Sequence, residues 1–287
     1  MSKKGFVYSS NDASGAAKIS AVNAKWYYNW SPKPFVSQTS IQVSSNTVVS
    51  SNTVTSSNTV VTDEDGIDSN IISYSNVVSF SNVINWSNKT TTETLDIPFT
   101  PMVWGRNSSL PDLTASYTEV LGFNEPDRPD QSNMTNQEAW AEWPAIVATG
   151  LKVGSPATAK NGSTTHSWLW DFMAEGPKVD FVCMHWYGPP KIASFLEAVG
   201  EMNRVYQKPV WVTEFAVADW SGHHVGGYDL DEVKQFMKDA VFHLERLEFV
   251  QRYSWKTRTT ADPRMGTSAI FNDDGSLTEL GELYASF

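Results

Sequence analysis

The chain has 287 residues, 40% of them hydrophobic, which is enough for a sizeable core and compatible with one large domain of barrel type. Its formal charge of −11 argues against a phosphate-backbone partner, which needs clustered Lys and Arg, and no apolar stretch is long enough to span a bilayer. A neutral substrate suits it better, and neither a nucleic acid nor a membrane is expected as a partner.

The N-terminus, Met1-Ser-Lys-Lys-Gly5, carries basic residues with no apolar run behind them, so no secretory leader is read from it and the compartment stays open. Apolar and aromatic runs of strand length then recur: Gly5 to Tyr8, Ala24 to Asn29, Phe99 to Trp104, Glu119 to Asn124, Lys152 to Ser155, Val179 to His185, Val210 to Glu214 and Val250 to Trp255. Pro101 lies inside the third run and cannot donate to a ladder, which predicts a bulge or a strand beginning there. Amphipathic helices are predicted over Gln137 to Thr149, Thr165 to Ala174, Ile192 to Tyr206 and Leu230 to Leu247. In the last, Val233, Phe236, Met237, Ala240, Val241 and Leu244 recur at helical spacing, with Asp229 or Asp231 placed to cap its start.

Strands alternating with helices imply parallel βαβ units, and eight of them close into an α/β (β/α)8 TIM barrel with its site at the carboxyl ends of the strands. The single cysteine, Cys183, sits inside the sixth run and reads as a small buried hydrophobe, since a nucleophilic thiol needs an accessible electropositive setting. His223 and His224 read as solvated loop residues. Asn-x-Ser/Thr triplets begin at Asn29, Asn85, Asn88, Asn107, Asn133 and Asn161, and matter only in a eukaryotic secretory route.

Two glutamates stand out. Glu125 ends the fourth run, in Leu121-Gly-Phe-Asn-Glu-Pro-Asp127, and Glu214 ends the seventh, in Pro209-Val-Trp-Val-Thr-Glu-Phe215. On a barrel both can reach the same opening. One protonated carboxylic acid beside one carboxylate, in surroundings that differ, is the apparatus for cleaving a glycosidic bond. Twelve tryptophans, ten tyrosines and fourteen phenylalanines supply flat faces suited to the C–H faces of sugar rings. No cofactor or metal is implied.

The motifs Lys25-Trp-Tyr-Tyr-Asn-Trp30, Pro101-Met-Val-Trp-Gly105, Leu121 to Asp127, Val153-Gly-Ser-Pro-Ala157, Met184-His-Trp-Tyr-Gly188, Val210 to Phe215 and Tyr253-Ser-Trp255, in that order, resemble glycoside hydrolase family 128, the β-1,3-glucanases of the glycosyl hydrolase catalytic core. The resemblance covers about 1–36 and 95–287. It implies an endo-acting enzyme that hydrolyses laminarin- or curdlan-type glucan by double displacement with retention, working as a monomer, with Glu125 the general acid/base and Glu214 the nucleophile. Asn124 then matches the contact to the sugar 2-hydroxyl. Tyr187 or His185 matches the group orienting the nucleophile, and both, with Trp186 between them, are expected among the substrate-binding residues. Trp104 and Trp255 match sugar-stacking positions. Tyr28 and Trp30, with Trp26, come from a run whose alternation aims them to one side. The competing readings are a glucan-binding protein without turnover and another β-glycan hydrolase of the same clan, such as a cellulase or mannanase.

Residues 37–94 stand apart. They repeat with a period of six, in Ser44-Ser-Asn-Thr-Val-Val49, Ser50 to Thr55 and Ser56 to Val61, and again after the acidic run Asp63-Glu-Asp-Gly-Ile-Asp68, in Ser69 to Tyr74, Ser75 to Phe80 and Ser81 to Trp86. The single barrel domain, 1–287, therefore carries a Ser/Asn/Thr/Val-rich insertion between its second and third strands, in place of the usual crossover helix. Three readings stand for the tract: a small β-solenoid, a twisted β-ribbon, or a low-complexity insertion with too little area to bury. The acidic run offers itself to calcium.

Overall fold

The computed structural model describes residues 3–9, 14–51 and 79–287, of which 36–51 and 79–94 are described by their backbone alone. It divides into two compact units, Met1–Val36 with Thr94–Phe287 and, separately, Ser37–Glu93. In chain order the elements are β1 (Lys4–Val7), α1 (Gly15–Ala21), β2 (Tyr27–Tyr28), β3 (Val36–Ser51), β4 (Ser79–Thr94), β5 (Glu119–Val120), α2 (Asn136–Val147), β6 (Lys152–Val153), α3 (Trp168–Ala174), β7 (Val182–Gly188), α4 (Ile192–Tyr206), β8 (Val210–Val217), α5 (Leu230–Arg246), β9 (Val250–Lys256) and α6 (Glu279–Ser286). No helix among the described residues is long and apolar enough to cross a membrane. In the smaller unit β3 and β4 pair as a two-stranded sheet. The acidic run Asp63 to Asp68 and most of the hexads lie outside the described residues, and with them the calcium, solenoid, ribbon and low-complexity readings.

The larger unit is a closed parallel barrel. β2, β1, β9, β8 and β7 form one sheet in that order, and β5 pairs with β6. Parallel bridges complete the circuit: Gly154 with Phe181, Met102 with Leu121, and Tyr27 with Phe99. The third position of the ring is held by these bridges rather than by a regular strand, because Pro101 has no N–H to give. Its carbonyl accepts from the Leu121 N–H at 2.9 Å and the ladder continues on either side of it.

Side-chain alternation divides the apolar residues into two cores. Val7, Trp26, Tyr28, Met102, Leu121, Ala157, Phe181, Cys183 and Trp211 fill the barrel interior. Phe6, Tyr27, Phe123, Met184, Val212, Phe215, Tyr253 and Trp255 face outward onto the helices. Inside, Phe181 stacks on Trp211 with centroids 4.0 Å apart. The Arg252 guanidinium lies 4.2 Å above the Trp211 ring and pairs with Glu119 at 3.3 Å. Burial pushes the Cys183 thiol up, leaving it an inert apolar filler.

The four predicted helices form as α2, α3, α4 and α5, while α1 and α6 were not predicted. In α5 the buried residues are Val233, Phe236, Met237, Ala240, Val241 and Leu244, and Asp229 caps its start by accepting from the Asp231 N–H. Thr135 and Glu138 close a reciprocal capping box on α2. Lys3 donates to the carbonyls of Leu244, Glu245 and Leu247 at 2.9–3.0 Å, while Lys4 donates to those of Tyr284 and Phe287 at 2.9 and 2.8 Å. Two adjacent ammonium groups, on Lys3 just before β1 and on Lys4 at its start, thus satisfy the negative ends of α5 and α6.

Candidate active site

The two glutamates meet at the carboxyl ends of the strands because of two local irregularities. On β7, strict alternation turns Cys183 inward, Met184 outward and His185 inward. On β8 the register slips: Met184 lies opposite Val212 but His185 lies opposite Glu214. The extra residue, Thr213, is a bulge, and it reverses the alternation that starts from inward-facing Trp211. Without it Glu214 would face the helices. Bulges commonly re-aim a side chain in this way.

The second irregularity is at Glu125, whose φ is +42°. The left-handed region is unfavourable for a side chain with a Cβ, and the following Pro126 restricts the residue further. The local network imposes this conformation. The Glu125 N–H donates to the Ala157 carbonyl at 2.7 Å, and its own carbonyl accepts from the Arg128 N–H at 3.0 Å. The Asp127 carboxylate accepts from the backbone N–H groups of Ala159 and Lys160 at 2.9 and 3.0 Å, fastening the turn to the neighbouring segment. Trp30, across the opening, is likewise left-handed at φ +56°.

Glu214 is almost surrounded by donors. Trp30 Nε1 donates to its Oε1 at 2.8 Å and the Tyr28 hydroxyl donates to the same oxygen at 3.1 Å. The Tyr187 hydroxyl donates to Oε2. Burial acts to raise the Glu214 pKa, but the charges of His185 and Lys256 and the bonds from Tyr187 and Trp30 outweigh it and hold the carboxyl below its usual 4.5. Burial, reinforced by the charge of Glu214, pushes both tyrosines well above their ordinary value, so they remain donors.

His185 bridges the pair. Its side chain is fully buried, with Nδ1 at 2.8 Å from Glu125 Oε1 and Nε2 at 3.5 Å from Glu214 Oε1. The second contact is a charge contact rather than a hydrogen bond. Burial disfavours the imidazolium, yet Glu214 and then Glu125 prevail, and the pKa is raised above 6.5. Glu125, 13% exposed, faces the cleft.

The cleft itself holds about 720 Å³ and is lined by Trp30, Trp104, Asn124, Tyr187, Trp220 and Lys256 around the two carboxylates. Asn124 donates through Nδ2 to Gln131 at 3.1 Å and its buried Oδ1 has no partner among the described residues. Trp26, Tyr28 and Trp30 share the inward side of their run. Of these Trp30 lines the cleft, whereas Tyr28 is fully buried and, instead of lining the cleft as a sugar contact, meets Glu214 through its hydroxyl. Glu125, His185 and Glu214 bring donor atoms within 4.8 Å of one another. A cation there would have to displace the three N–H and O–H donors already on Glu214.

Two further expected sugar contacts need correcting. Trp255 is 0% exposed; it lies edge-on to Phe215 at 5.1 Å and donates through Nε1 to the Ser268 carbonyl at 3.0 Å, outside the barrel. Trp186 faces the same way, stacked on Phe236 at 5.3 Å and edge-on to Phe195 at 5.1 Å. The cleft residues missed by the sequence reading are Lys256, Trp220, Arg128 and Gln131. Alternation from inward-facing Arg252 through Ser254 would have pointed to Lys256 instead of Trp255. Trp220 sits in the loop after β8, anchored by its Nε1–H to the Tyr187 carbonyl at 3.0 Å, and no periodicity marks it. His224 is exposed and lies with Nδ1 3.0 Å from Asp219. Asn29 is buried, while Asn107, Asn133 and Asn161 are exposed and the side chains of Asn85 and Asn88 lie outside the described residues.

The chain as a whole is similar to known proteins. The family described as glycosyl hydrolase catalytic core matches residues 59–284. Alkali-sensitive linkage protein 1 of Schizosaccharomyces pombe is 32% identical over 192 residues, covering 62% of this chain and 34% of its own length, so the chain spans about a third of that curated relative. Among solved structures, a family 128 subgroup I endo-β-1,3-glucanase of Amycolatopsis mediterranei in complex with laminaritriose superposes with a TM-score of 0.69 at 26% identity, covering 100% of this chain and 99% of its own. A subgroup VII oligosaccharide-binding protein of Trichoderma gamsii superposes with a TM-score of 0.62 at 19% identity, covering 99% of this chain and 93% of its own, a likeness of fold alone.

Proposed function

The chain belongs to the glycosyl hydrolase catalytic core family, within glycoside hydrolase family 128, and on that footing we propose that it is a retaining endo-β-1,3-glucanase acting on laminarin- or curdlan-type chains. Glu125 serves as acid/base and Glu214 as nucleophile. The observation that carries this reading is the approach of the two carboxylates: donor atoms of Glu125, His185 and Glu214 lie within 4.8 Å of one another. Retaining pairs stand about 5–5.5 Å apart, inverting pairs about 6.5–9.5 Å with room for a water.

Their surroundings suit opposite tasks. Glu214 is held ionised by its donors and by His185, ready to attack the anomeric carbon. Glu125 faces the cleft and passes a proton to the leaving glycosidic oxygen, then takes one from the water that hydrolyses the glycosyl-enzyme. Tyr187 holds Glu214 Oε2, and His185 ties the two carboxylates together. Asn124 offers its unpartnered Oδ1 to the sugar 2-hydroxyl, and Trp30 and Trp104 present aromatic faces to the rings. The catalytic unit is the barrel, with 37–94 inserted into it, and it works as a monomer. The bacterial neighbour's laminaritriose complex supports the choice of glucan.

The test is reducing-end release from laminarin and curdlan, with cellulose and mannan alongside, by the unaltered chain and by Glu125→Gln and Glu214→Gln. Loss in both variants, early appearance of the β-anomer and a spread of internal products are expected. Full activity in either variant overturns the assignment. Binding without turnover by the unaltered chain would favour the competing reading, that of a glucan-binding protein.

A further inference from the structure

Trp30 donates to Glu214 Oε1 at 2.8 Å, yet its backbone sits at φ +56°, a conformation that persists only where the surroundings impose it. What fixes the ring is visible on its face. The Lys256 ammonium lies 3.8 Å from the centre of the Trp30 ring, within the range of a cation–π contact. The contact follows from the strand lengths. β1 lies between β2 and β9, and Val7, its last residue, is level with Tyr28 on one side and Lys256 on the other. Lys256 ends β9 and Trp30 stands two places past β2, so the two side chains reach each other near the end of β1.

We propose that Lys256 is a positioning residue for hydrolysis: its ammonium clamps the Trp30 ring so that the indole N–H stays aimed at Glu214 Oε1. The inference rests on Glu214 being the nucleophile. A cation over the indole also polarises it, which makes Nε1–H a stronger donor to the carboxylate. The titratable and charged groups facing Glu214 are Tyr28 from β2, His185 and Tyr187 from β7, Lys256 from β9 and Glu125 across the opening, with Arg258 beyond Lys256 on the cleft wall. Of these Lys256 reaches Glu214 through the ring as well as through space. Burial lowers the Lys256 pKa and Glu214 partly restores it, as expected of an ammonium kept for its neighbours rather than for solvent.

The test compares Lys256→Met, which keeps the stem without the charge, with Lys256→Arg in the full chain, measuring kcat and KM on laminarin as a function of pH. Removing the charge is expected to lower kcat about tenfold and to move the acid limb of the profile up by about one pH unit, with KM within threefold and the Arg variant close to the unaltered chain. In a Trp30→Phe background, which keeps a ring and removes the N–H, Lys256→Met should move the limb clearly less than it does in the unaltered chain, because only the through-space part remains. An unmoved limb in Lys256→Met, or shifts that simply add in the double variant, overturns the inference. Should Lys256→Met fail to fold, Lys256→Gln provides the same comparison. An active Glu214→Gln sinks the nucleophile reading itself, whereas an inactive Glu214→Gln beside an unmoved limb in Lys256→Met sinks the clamp alone.

Discussion

Replacing Trp255 by Ala separates two accounts of this residue. If it stacked on a sugar, the cost would fall on KM. The structure instead gives it 0% exposure, an edge-on contact with Phe215 at 5.1 Å and a bond to the Ser268 carbonyl at 3.0 Å. Truncating a fully buried Trp costs about 3–5 kcal/mol through lost transfer energy and the cavity left behind, and an orphaned carbonyl adds about 1 kcal/mol. For a unit of this size each kcal/mol moves Tm by about 2–4 °C, so a loss of roughly 8–24 °C is expected. Thermal unfolding followed by circular dichroism measures it, and Michaelis kinetics well below the new Tm should find KM nearly unchanged. Trp104→Ala is the control, expected to raise KM severalfold and to leave Tm within a few degrees. Were Trp255→Ala to keep its Tm and raise KM, the outward placement of β9's aromatic side chains would be wrong.

The acid limb of kcat/KM should fall below pH 4.5, because Glu214 is held below that value. A group with a depressed folded pKa contributes stability that is present above its unfolded pKa and lost as pH falls through the folded one, so urea midpoints should decline over the same acidic range; a limb above pH 4.5 contradicts the donor count around Glu214. His185, raised above 6.5, contributes in the opposite sense. Its stabilisation is complete below the unfolded value and disappears as pH rises through the folded one, and His185→Asn should abolish that alkaline loss in urea titrations. Asp127→Ala removes both acceptors that fasten the Glu125 turn. We expect kcat to drop about tenfold or more with a small change in Tm, and a kcat equal to the unaltered chain's would show that the turn holds itself. Arg128 and Asp130 pair with each other at 2.9 Å, which leaves two carboxylates in the cleft facing Lys256, Arg258 and His185. Binding should therefore depend little on salt between about 20 and 500 mM NaCl, and a steep rise of KM would contradict that balance.

Much of the site could be read from sequence because strand alternation is a strict rule wherever a strand is regular. Cys183, His185 and Tyr187 fall on the inner side of β7 by counting in twos, and the same count puts Trp186 outside; naming all three members of the motif as sugar contacts ignored that parity. On β9 the count favours Lys256 over Trp255. On β8, however, counting fails. From Trp211 it would send Glu214 outward, and only the bulge at Thr213 brings it in. A bulge depends on two strands together and leaves no mark in either one. Trp220 was missed for a related reason, since its place is set by a hydrogen bond to a backbone carbonyl on another strand. The third barrel position was readable in part, because Pro101 forbids a full ladder wherever it sits.

The same irregularities give the two carboxylates their different surroundings. A regular β8 would aim Thr213 at the opening and a relaxed turn after β5 would leave Glu125 free to rotate. Instead the bulge sinks Glu214 to the level of Tyr28, a layer below the rim, where donors from β2 and β7 can converge on both its oxygens. The left-handed turn lifts Glu125 to the rim, where one imidazole nitrogen and the cleft are its neighbours. The two carboxylates thus meet different numbers of donors, and for Glu214 those donors help to hold the charge. On this view the strain at residue 125 and the slip at residue 213 act as one device. Repairing either would bring the two groups towards equal surroundings, and two like carboxylates in equal surroundings cannot divide acid from nucleophile.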